Sequence, residues 1–303
     1  MVLEWKSILL DIITLGNRIY RHRDRSDFNL QRLLVFWLRG LKHGRLVRGF
    51  ARFFAGEVEL SKLERNNAIF YEQLSRHVFY HNSTMAERCR LIEQHFLFCQ
   101  QMFSAAALEQ IYYDQRLLLW QQEELSLGLD FFYVDRKEGI MTLDLMREGK
   151  RVYHITFWLG QNAAGENALF IGALQGSLGG RELIHALTKR FFGCRPKNFM
   201  LYVIQQMAGI WGLQHIYAIS NRGFYTNNHV RLDRKLKTSL DAFWQEVGGW
   251  PLEDPRFYEL PLQSVRKPLE TVKTHKRSQY RKRYVWLDEI AAAMRENWVA
   301  FRR

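Results

Sequence analysis

Residues 167–176 read NALFIGALQG and run on at 177–180 into SLGG. The first ten are apolar almost throughout, the pattern of a strand covered on both faces and not of one turned half to water. A strand of that kind needs sheet neighbours and helices on its faces. Both are legible on either side. Upstream, LGLDFFYVD (127–135), GIMTLDLM (139–146) and RVYHITFWL (151–159) are short β-rich runs parted by Gly or charged turns. Downstream, the spacing predicts helices over 181–192 and 196–212 and a strand at HIYAIS (215–220). A short helix at SLDAFWQEVG (239–248), a strand near RFYELPL (256–262) and a long helix from about 268 complete the order. Antiparallel strands, helices, a strand, a helix and a strand make an α+β chain, with a mixed, mostly antiparallel sheet flanked by helices.

The first third reads as helix. In NLQRLLVFWLRGL (29–41), Leu30, Leu33, Leu34, Trp37 and Leu41 share a face, with Arg32 and Arg39 opposite. After Gly40 and Gly44 the phase shifts to Leu46, Val47, Phe50, Phe53 and Phe54, opposed by Arg45, Arg48 and Arg52, so two short helices with a break are expected. Two readings stand for this arm: a surface for membrane or polyanion, or a helical hairpin docked on the body with its arginines in water. Thr84 and Glu87 form a capping-box pattern before RCRLIEQHFLFCQQMF (88–103). ALEQIYYDQRLLLWQQ (107–122) is read as a further helix. The expected organisation is a basic helical region over 1–124 and an α+β region over 125–303 in one compact unit.

The net charge is +13, with a sequence pI near 9.7, and it is concentrated. Residues 1–56 and residues 266–284 each carry a surplus of seven positive charges, around a nearly neutral body. Basicity of this kind favours anionic partners. No reading-helix, RNA-binding or zinc-finger signature is present, which argues against specific nucleic acid. Cys89, Cys99 and Cys194 show no CxxC spacing, and HExxH is absent, so no metal site is expected. The cysteine usage implies a reducing compartment. The apolar run of MVLEWKSILLDIITLG is broken by Asp11 and has no small-residue cleavage site. A cytoplasmic protein is expected, with peripheral contact to the inner membrane as the extension that its charge suggests.

Three places could carry chemistry. The helix opening at GCRPKN (193–198) has Pro196 at its first position, no Ser, Thr, Asp or Asn before it, and Arg195 and Lys197 around it. Cations there oppose the helix dipole, whereas a bound anion would satisfy amides, dipole and cations together. A phosphate-bearing ligand held by Arg195, Lys197 and Asn198 is one reading, and a water-capped turn is the other. Gly176, Gly179 and Gly180 form a Gly-rich strand-to-helix turn able to cradle phosphate through its amides, or simply to turn. Asn221 closes HIYAISN at a strand's carboxyl end, where open sheets place ligands; a turn-forming Asn is the alternative. His154 is weighed as a general base and as a surface or satisfied histidine, and Cys194, beside two cations, as a thiol of lowered pKa. On a helical wheel the C-terminal stripe Tyr280, Tyr284, Leu287, Ala291, Met294 and Trp298 extends back to Lys273, Lys276 and Arg277. Those three are expected to line an inward anionic site, with Arg281 and Lys282 in water.

Taken together and in order, ERCRLIEQHF, LFIGALQG, GCRPKNFMLYVIQQMA, IYAISN, LDAFWQEVGG and KRSQYRKRYVWLDEI resemble the VirK/YbjX family of Gram-negative bacteria. The resemblance runs from about residue 30 to 295. It implies an association with virulence, envelope integrity and resistance to antimicrobial peptides, and no established reaction. The order of buried strand, Gly-rich loop, helix, strand ending in Asn and aromatic helix before Gly-Gly is also similar to the acyl-CoA N-acyltransferase superfold. That fold holds a pyrophosphate on the amides of a loop and helix N-terminus. QGSLGG departs by one residue from its usual loop, and an additional helix intervenes before GCRPKN. The similarity implies an acyl-CoA or acyl-carrier donor and an acyltransferase activity. The alternative is a non-enzymatic adaptor whose basic patches bind anionic lipid or another polyanion.

Overall fold

In the computed structural model, residues 2–21, 30–66, 69–113, 116–131, 137–177, 180–228 and 238–303 are described. Helices α1 (Val2–Arg21), α2 (Leu30–Lys42), α3 (Gly44–Gly56), α4 (Val58–Asn66), α5 (Ile69–Ser75), α6 (Met85–Met102) and α7 (Ala105–Tyr112) come first. Strands β1 (Leu117–Gln122), β2 (Leu125–Phe131), β3 (Met141–Arg147), β4 (Lys150–Gln161) and β5 (Asn167–Gly176) follow. Then come α8 (Arg181–Arg190), α9 (Pro196–Ile210), β6 (His215–Ile219), α10 (Leu240–Glu246), β7 (Trp250–Pro251), β8 (Phe257–Leu260) and α11 (Thr274–Trp298). The chain is α+β, as its sequence predicts.

The eight strands form one sheet in the order β1-β2-β3-β4-β5-β6-β8-β7. All described neighbours are antiparallel except β5 and β6, which run parallel from Ala168 opposite His215 to Ile171 opposite Ala218. The stretch 167–176 is therefore a central strand, and its apolar run is the consequence.

One face of the sheet carries Leu127, Leu129, Leu143, Ile155 and Phe157, all fully buried. Helices α6, α9 and α11 pack there: Phe96 meets Phe131 at 5.7 Å, Trp211 meets Phe157 at 6.0 Å, and Asn297 donates to the Leu119 carbonyl at 3.0 Å. The capping box forms as read, with Thr84 Oγ1 accepting from the Glu87 amide at 3.2 Å and Glu87 Oε2 accepting from the Thr84 amide at 2.7 Å. Burial drives the His95 pKa down to about 3, so this histidine is neutral, and its Nδ1 accepts from the Leu159 amide at 3.1 Å. Helices α1 to α3 form a layer outside α5 and α6, anchored by Phe54 against Phe70 (5.4 Å) and Phe96 (5.3 Å).

Two local expectations are corrected. The helix read over 107–122 ends at Tyr112, and Leu117–Gln122 is an edge strand paired to β2. Leu117, Leu119 and Trp120 are buried while Leu118 is exposed, because the register to β2 presents this run to the sheet core. The second correction concerns α2. The break between α2 and α3 falls where Gly40 and Gly44 put it, but Arg32 and Arg39 are half-buried and reach back to the body. Arg39 donates to the Ser75 carbonyl at 2.7 Å, and Arg32 lies 4.0 Å from the buried carboxylate of Glu72, which Arg76 also holds at 2.8 Å. A carboxylate taken out of water needs cations around it. The helix turns that face inward, leaving Leu30, Leu34, Leu38 and Leu41 exposed.

Candidate functional site

A parallel pair inside an antiparallel sheet sends two carboxyl ends to one edge, where open sheets place ligands. Here β5 outruns β6 by the residues from Ala173 to Gly176. Gly176 pairs with Tyr153, and a Cβ at Gly176 would stand 2.8 Å from the Tyr153 ring, so this glycine makes room for the tyrosine. Gly180 is the N-cap of α8, without a side-chain cap. Gly179 lies outside the described residues.

Beside this edge, α9 begins as its sequence suggests, with Arg195 at the N-cap, Pro196 following, and no side-chain cap on its first amides. Arg195 Nε donates to Asn198 Oδ1 at 2.9 Å. Its guanidinium also pairs with Glu246 at the end of α10, and Lys197 Nζ stands 3.7 Å from Glu246 Oε2 and 4.3 Å over the Phe243 ring. One carboxylate from the chain thus answers both cations. Both side chains of the Arg195–Glu246 pair are 45% exposed, and an ion pair in such a setting is worth about 0–1 kcal/mol, little enough for a multiply charged ligand to displace. Burial, and then Arg195, lowers the Lys197 pKa. Cys194 is corrected: burial pushes its thiol up to about 11 against the pull of Arg283 and Arg195, which leaves a poor nucleophile.

Asn221 spends its polar groups on the fold. Its Oδ1 accepts from the Leu240 amide at 2.7 Å, its Nδ2 donates to Ser239 Oγ at 3.0 Å, and its own amide donates to Asp241 Oδ1 at 2.7 Å. It pins the start of α10, and so positions Glu246 at the other end of that helix. Lys273 is the N-cap of α11, and both Lys273 and Lys276 are exposed. Arg277 folds back onto the carbonyls of Val272 (3.1 Å) and Glu270 (3.2 Å). The helix starts at Thr274 and its first turns stand mostly in water, so the stripe that buries Leu287 and Trp298 is not covered at this end. Arg281 and Lys282 are exposed, as expected.

The sheet face opposite α6, α9 and α11 holds what sequence reasoning missed. In register across it lie Gly128, Asp144, His154 and Gln175, and beside them Asp130, Thr142, Thr156 and Ala173. Asp144, Thr142, Thr156 and His154 are all buried. Arg151 grips Asp144 through Nε–Oδ1 at 2.7 Å and Nη2–Oδ2 at 2.9 Å, and Arg116, lying over Gly128, reaches Asp144 at 3.1 Å and Asp130 at 3.0 Å. Burial pushes the Asp144 carboxyl above its usual range, while Arg151 and Arg116 pull it back. At the other end, Gln175 Nε2 donates to both oxygens of the buried Glu138 at 3.0 and 2.9 Å. His154, weighed from the sequence as a base or a satisfied surface residue, sits mid-row. A polar residue at alternate positions of each strand was the available signal, but such alternation normally means water.

Among the described residues no group of three or more His, Cys, Asp and Glu could hold a metal ion, and no helix is long and apolar enough to cross a membrane. No solved structure matches the chain. An uncharacterized protein of Haemophilus influenzae is 29% identical over 215 residues, covering 68% of this chain and 69% of that one. The uncharacterized protein YbjX of Escherichia coli is 33% identical over 179 residues, 57% of this chain and about half (53%) of the relative. A second uncharacterized Haemophilus influenzae protein is 29% identical over 226 residues, 69% of this chain and 73% of that one. The family described as "Protein of unknown function (DUF535)" matches residues 25–296, and with the likeness to YbjX this shows that the chain belongs to that family, the VirK/YbjX family its segments resemble.

Proposed function

We propose that the chain is an acyltransferase-type enzyme, taking an acyl group from a phosphate-bearing carrier and passing it to a polar, envelope-related acceptor. The carrier is acyl-CoA or an acyl-carrier thioester. One observation carries the reading: the buried polar row ends at Gln175, one residue before the Gly-rich turn at the carboxyl ends of the parallel pair. The two halves that transfer needs, an anion-holding edge and a polar floor on the face away from α9, would then meet around the end of β5. The resemblance to the N-acyltransferase superfold supports it through the order β5, Gly-rich turn, helices, parallel β6 ending near Asn221, and α10 before Gly248–Gly249.

The residues fit an anion, since the first amides of α9 lack a side-chain cap and lie between Arg195 and Lys197. Those groups, with Asn198 and the turn at Gly176 and Gly180, would hold the donor's phosphates once Glu246 yields. The donor supplies the thioester. His154 takes the proton that the acceptor amine loses as its nitrogen bonds to the acyl carbon, and returns it to the departing thiol sulfur. Asp144, fixed by Arg151 and Arg116, gives that histidine a charged neighbour across the strand pair. The envelope and peptide-resistance setting implied by the family resemblance suits such an acceptor.

Thermal shift with CoA, acetyl-CoA and a long-chain acyl-CoA tests the donor site. Ligand at ten times a dissociation constant adds about 1.4 kcal/mol, a rise of about 2 °C for a chain of 303 residues. No rise with any of the three at millimolar concentration would leave the reading without support.

A further inference from the structure

The outermost layer carries an apolar face that is exposed among the described residues. Trp5, Leu9, Leu10 and Ile13 of α1 and Leu30, Leu34, Leu38 and Leu41 of α2 are all exposed, Leu38 at 70% and Leu10 at 64%. The two helices pack antiparallel through glycines: a Cβ at Gly16 would meet Trp37 and Leu33, one at Gly40 would meet Ile12, and one at Gly44, at the start of α3, would meet Ile8. Around α1 the order runs from the core residues Ile8, Ile12 and Leu15, through this seam, to Leu9 and Ile13. Around α2 it runs in the same sense, each helix viewed from its own start, from Leu33 and Phe36, through Trp37, to Leu34 and Leu38. Antiparallel packing therefore brings both exposed stripes to one outer surface. Contiguous exposed patches of large apolar residues mark interaction sites.

The surrounding charge says what the surface fits. Asp11 is the one carboxylate among the described side chains of α1 to α3, and it lies 3.7 Å from Arg48. Lys6, Lys42, Arg45 and Arg52 are exposed and have no carboxylate partner among the described residues. The arginines that could have faced outward from α2 are instead turned in to Glu72 and Ser75. An apolar stripe with cations beside it, answered among the described side chains of these helices only by Asp11, has the composition of a helix lying at a membrane interface. A protein partner would be met by the same leucines, but the one-signed charge favours an anionic layer.

We propose that the α1/α2 hairpin docks on an anionic bilayer surface, with Leu9, Ile13, Leu34 and Leu38 entering the interface and Lys6, Lys42 and Arg45 meeting the lipid headgroups. Each such cation near an anionic membrane contributes about a fivefold gain in binding. This rests on the N-terminal layer alone and is independent of the donor site.

The test is co-sedimentation of the full chain with vesicles of phosphatidylcholine, with and without about a third phosphatidylglycerol. Binding to the anionic vesicles at least ~10-fold tighter than to neutral ones is expected, weakening at high salt. Leu34→Gln with Leu38→Gln, and separately Lys42→Glu with Arg45→Glu, should each reduce it by ~10-fold or more, with unchanged far-ultraviolet circular dichroism since all four side chains are exposed. Equal binding to both vesicles, no binding to either, or full binding by the leucine variant would overturn the proposal. Sedimentation equilibrium gives the competing outcome: a dimer that the leucine variant dissolves, without vesicle binding, would assign the face to a second copy.

Discussion

Lys197 Nζ on α9 stands 3.7 Å from Glu246 Oε2 on α10, and Arg195 pairs with the same carboxylate. A helix start that gathers two cations is balanced by the far end of another helix, which Asn221 and Ser239 fix at its own start. Glu246→Gln removes the balancing charge and leaves the cations in place. Because the pair is half exposed, the substitution should cost under about 1 kcal/mol of stability. Affinity for inorganic pyrophosphate should rise about 3–10-fold, read by calorimetry, since the ligand no longer competes with an internal anion. Unchanged affinity would detach these residues from any anion site.

Thr84→Ala removes one half of the capping box and strands the Glu87 amide at the start of α6. A loss of about 1 kcal/mol is expected in urea denaturation, with Thr84→Ser close to the native chain. Since α6 carries Phe96 and His95 into the sheet contact, the loss should be seen in the global transition and not as local fraying.

That cap was legible in the sequence because both partners lie within four residues. The same locality made α9 and its basic start legible, and the apolar run 167–176 betrayed a central strand. Legibility ended where tertiary partners decide. In α2 the apolar residues are too many for one stripe, so Leu33 with Phe36 and Leu34 with Leu38 compete for the interior. Glu72 and the Ser75 carbonyl, more than thirty residues away, settle it by drawing in Arg32 and Arg39 in turn. LLLWQQ at 117–122 has no alternation, and only pairing with β2 makes it a strand. The row from Gly128 to Gln175 depends on the registers of three strand pairs at once, two of them interrupted by bulges. In α11 the wheel put Lys273 and Lys276 on the phase of the core stripe, but the helix starts only at Thr274 and both side chains are exposed.

His215 is held between two carboxylates, Nδ1 at 2.7 Å from Glu259 and Nε2 at 2.9 Å from Glu166. The hydrogen bond to Glu259 is the largest cause raising its pKa above the ordinary 6.5, and Glu166 adds to it. A base with a raised folded pKa binds its proton more tightly in the native state. The stability it contributes is complete below the unfolded value and is lost as pH rises through the folded one. Glu166 is itself held below its usual range by Asn162 and His215, so it stays ionised through that window. His215→Gln should therefore lower Tm more at about pH 5.5 than at about pH 8.5. A larger loss at the alkaline end would contradict this sign.

Asp144 is wholly buried and paired with Arg151, with Arg116 as a second cation. Removing one partner of a buried pair costs about 3–5 kcal/mol, because the charge left behind has lost both water and partner. Here the side chains left behind are Arg151 and Arg116, 24% and 32% exposed, and each can turn partly to water. Asp144→Ala should therefore cost about 3 kcal/mol, the lower end of that range, in urea denaturation. Arg151→Met leaves Asp144 with Arg116 alone, and burial then raises its carboxyl pKa further, so that variant should lose more stability at pH 8 than at pH 5. The double variant should be less destabilised than the two losses summed, by about 1–3 kcal/mol of coupling. Additive losses would mean that the two groups act separately, and the row would then lack the fixed charged neighbour that a base at His154 requires.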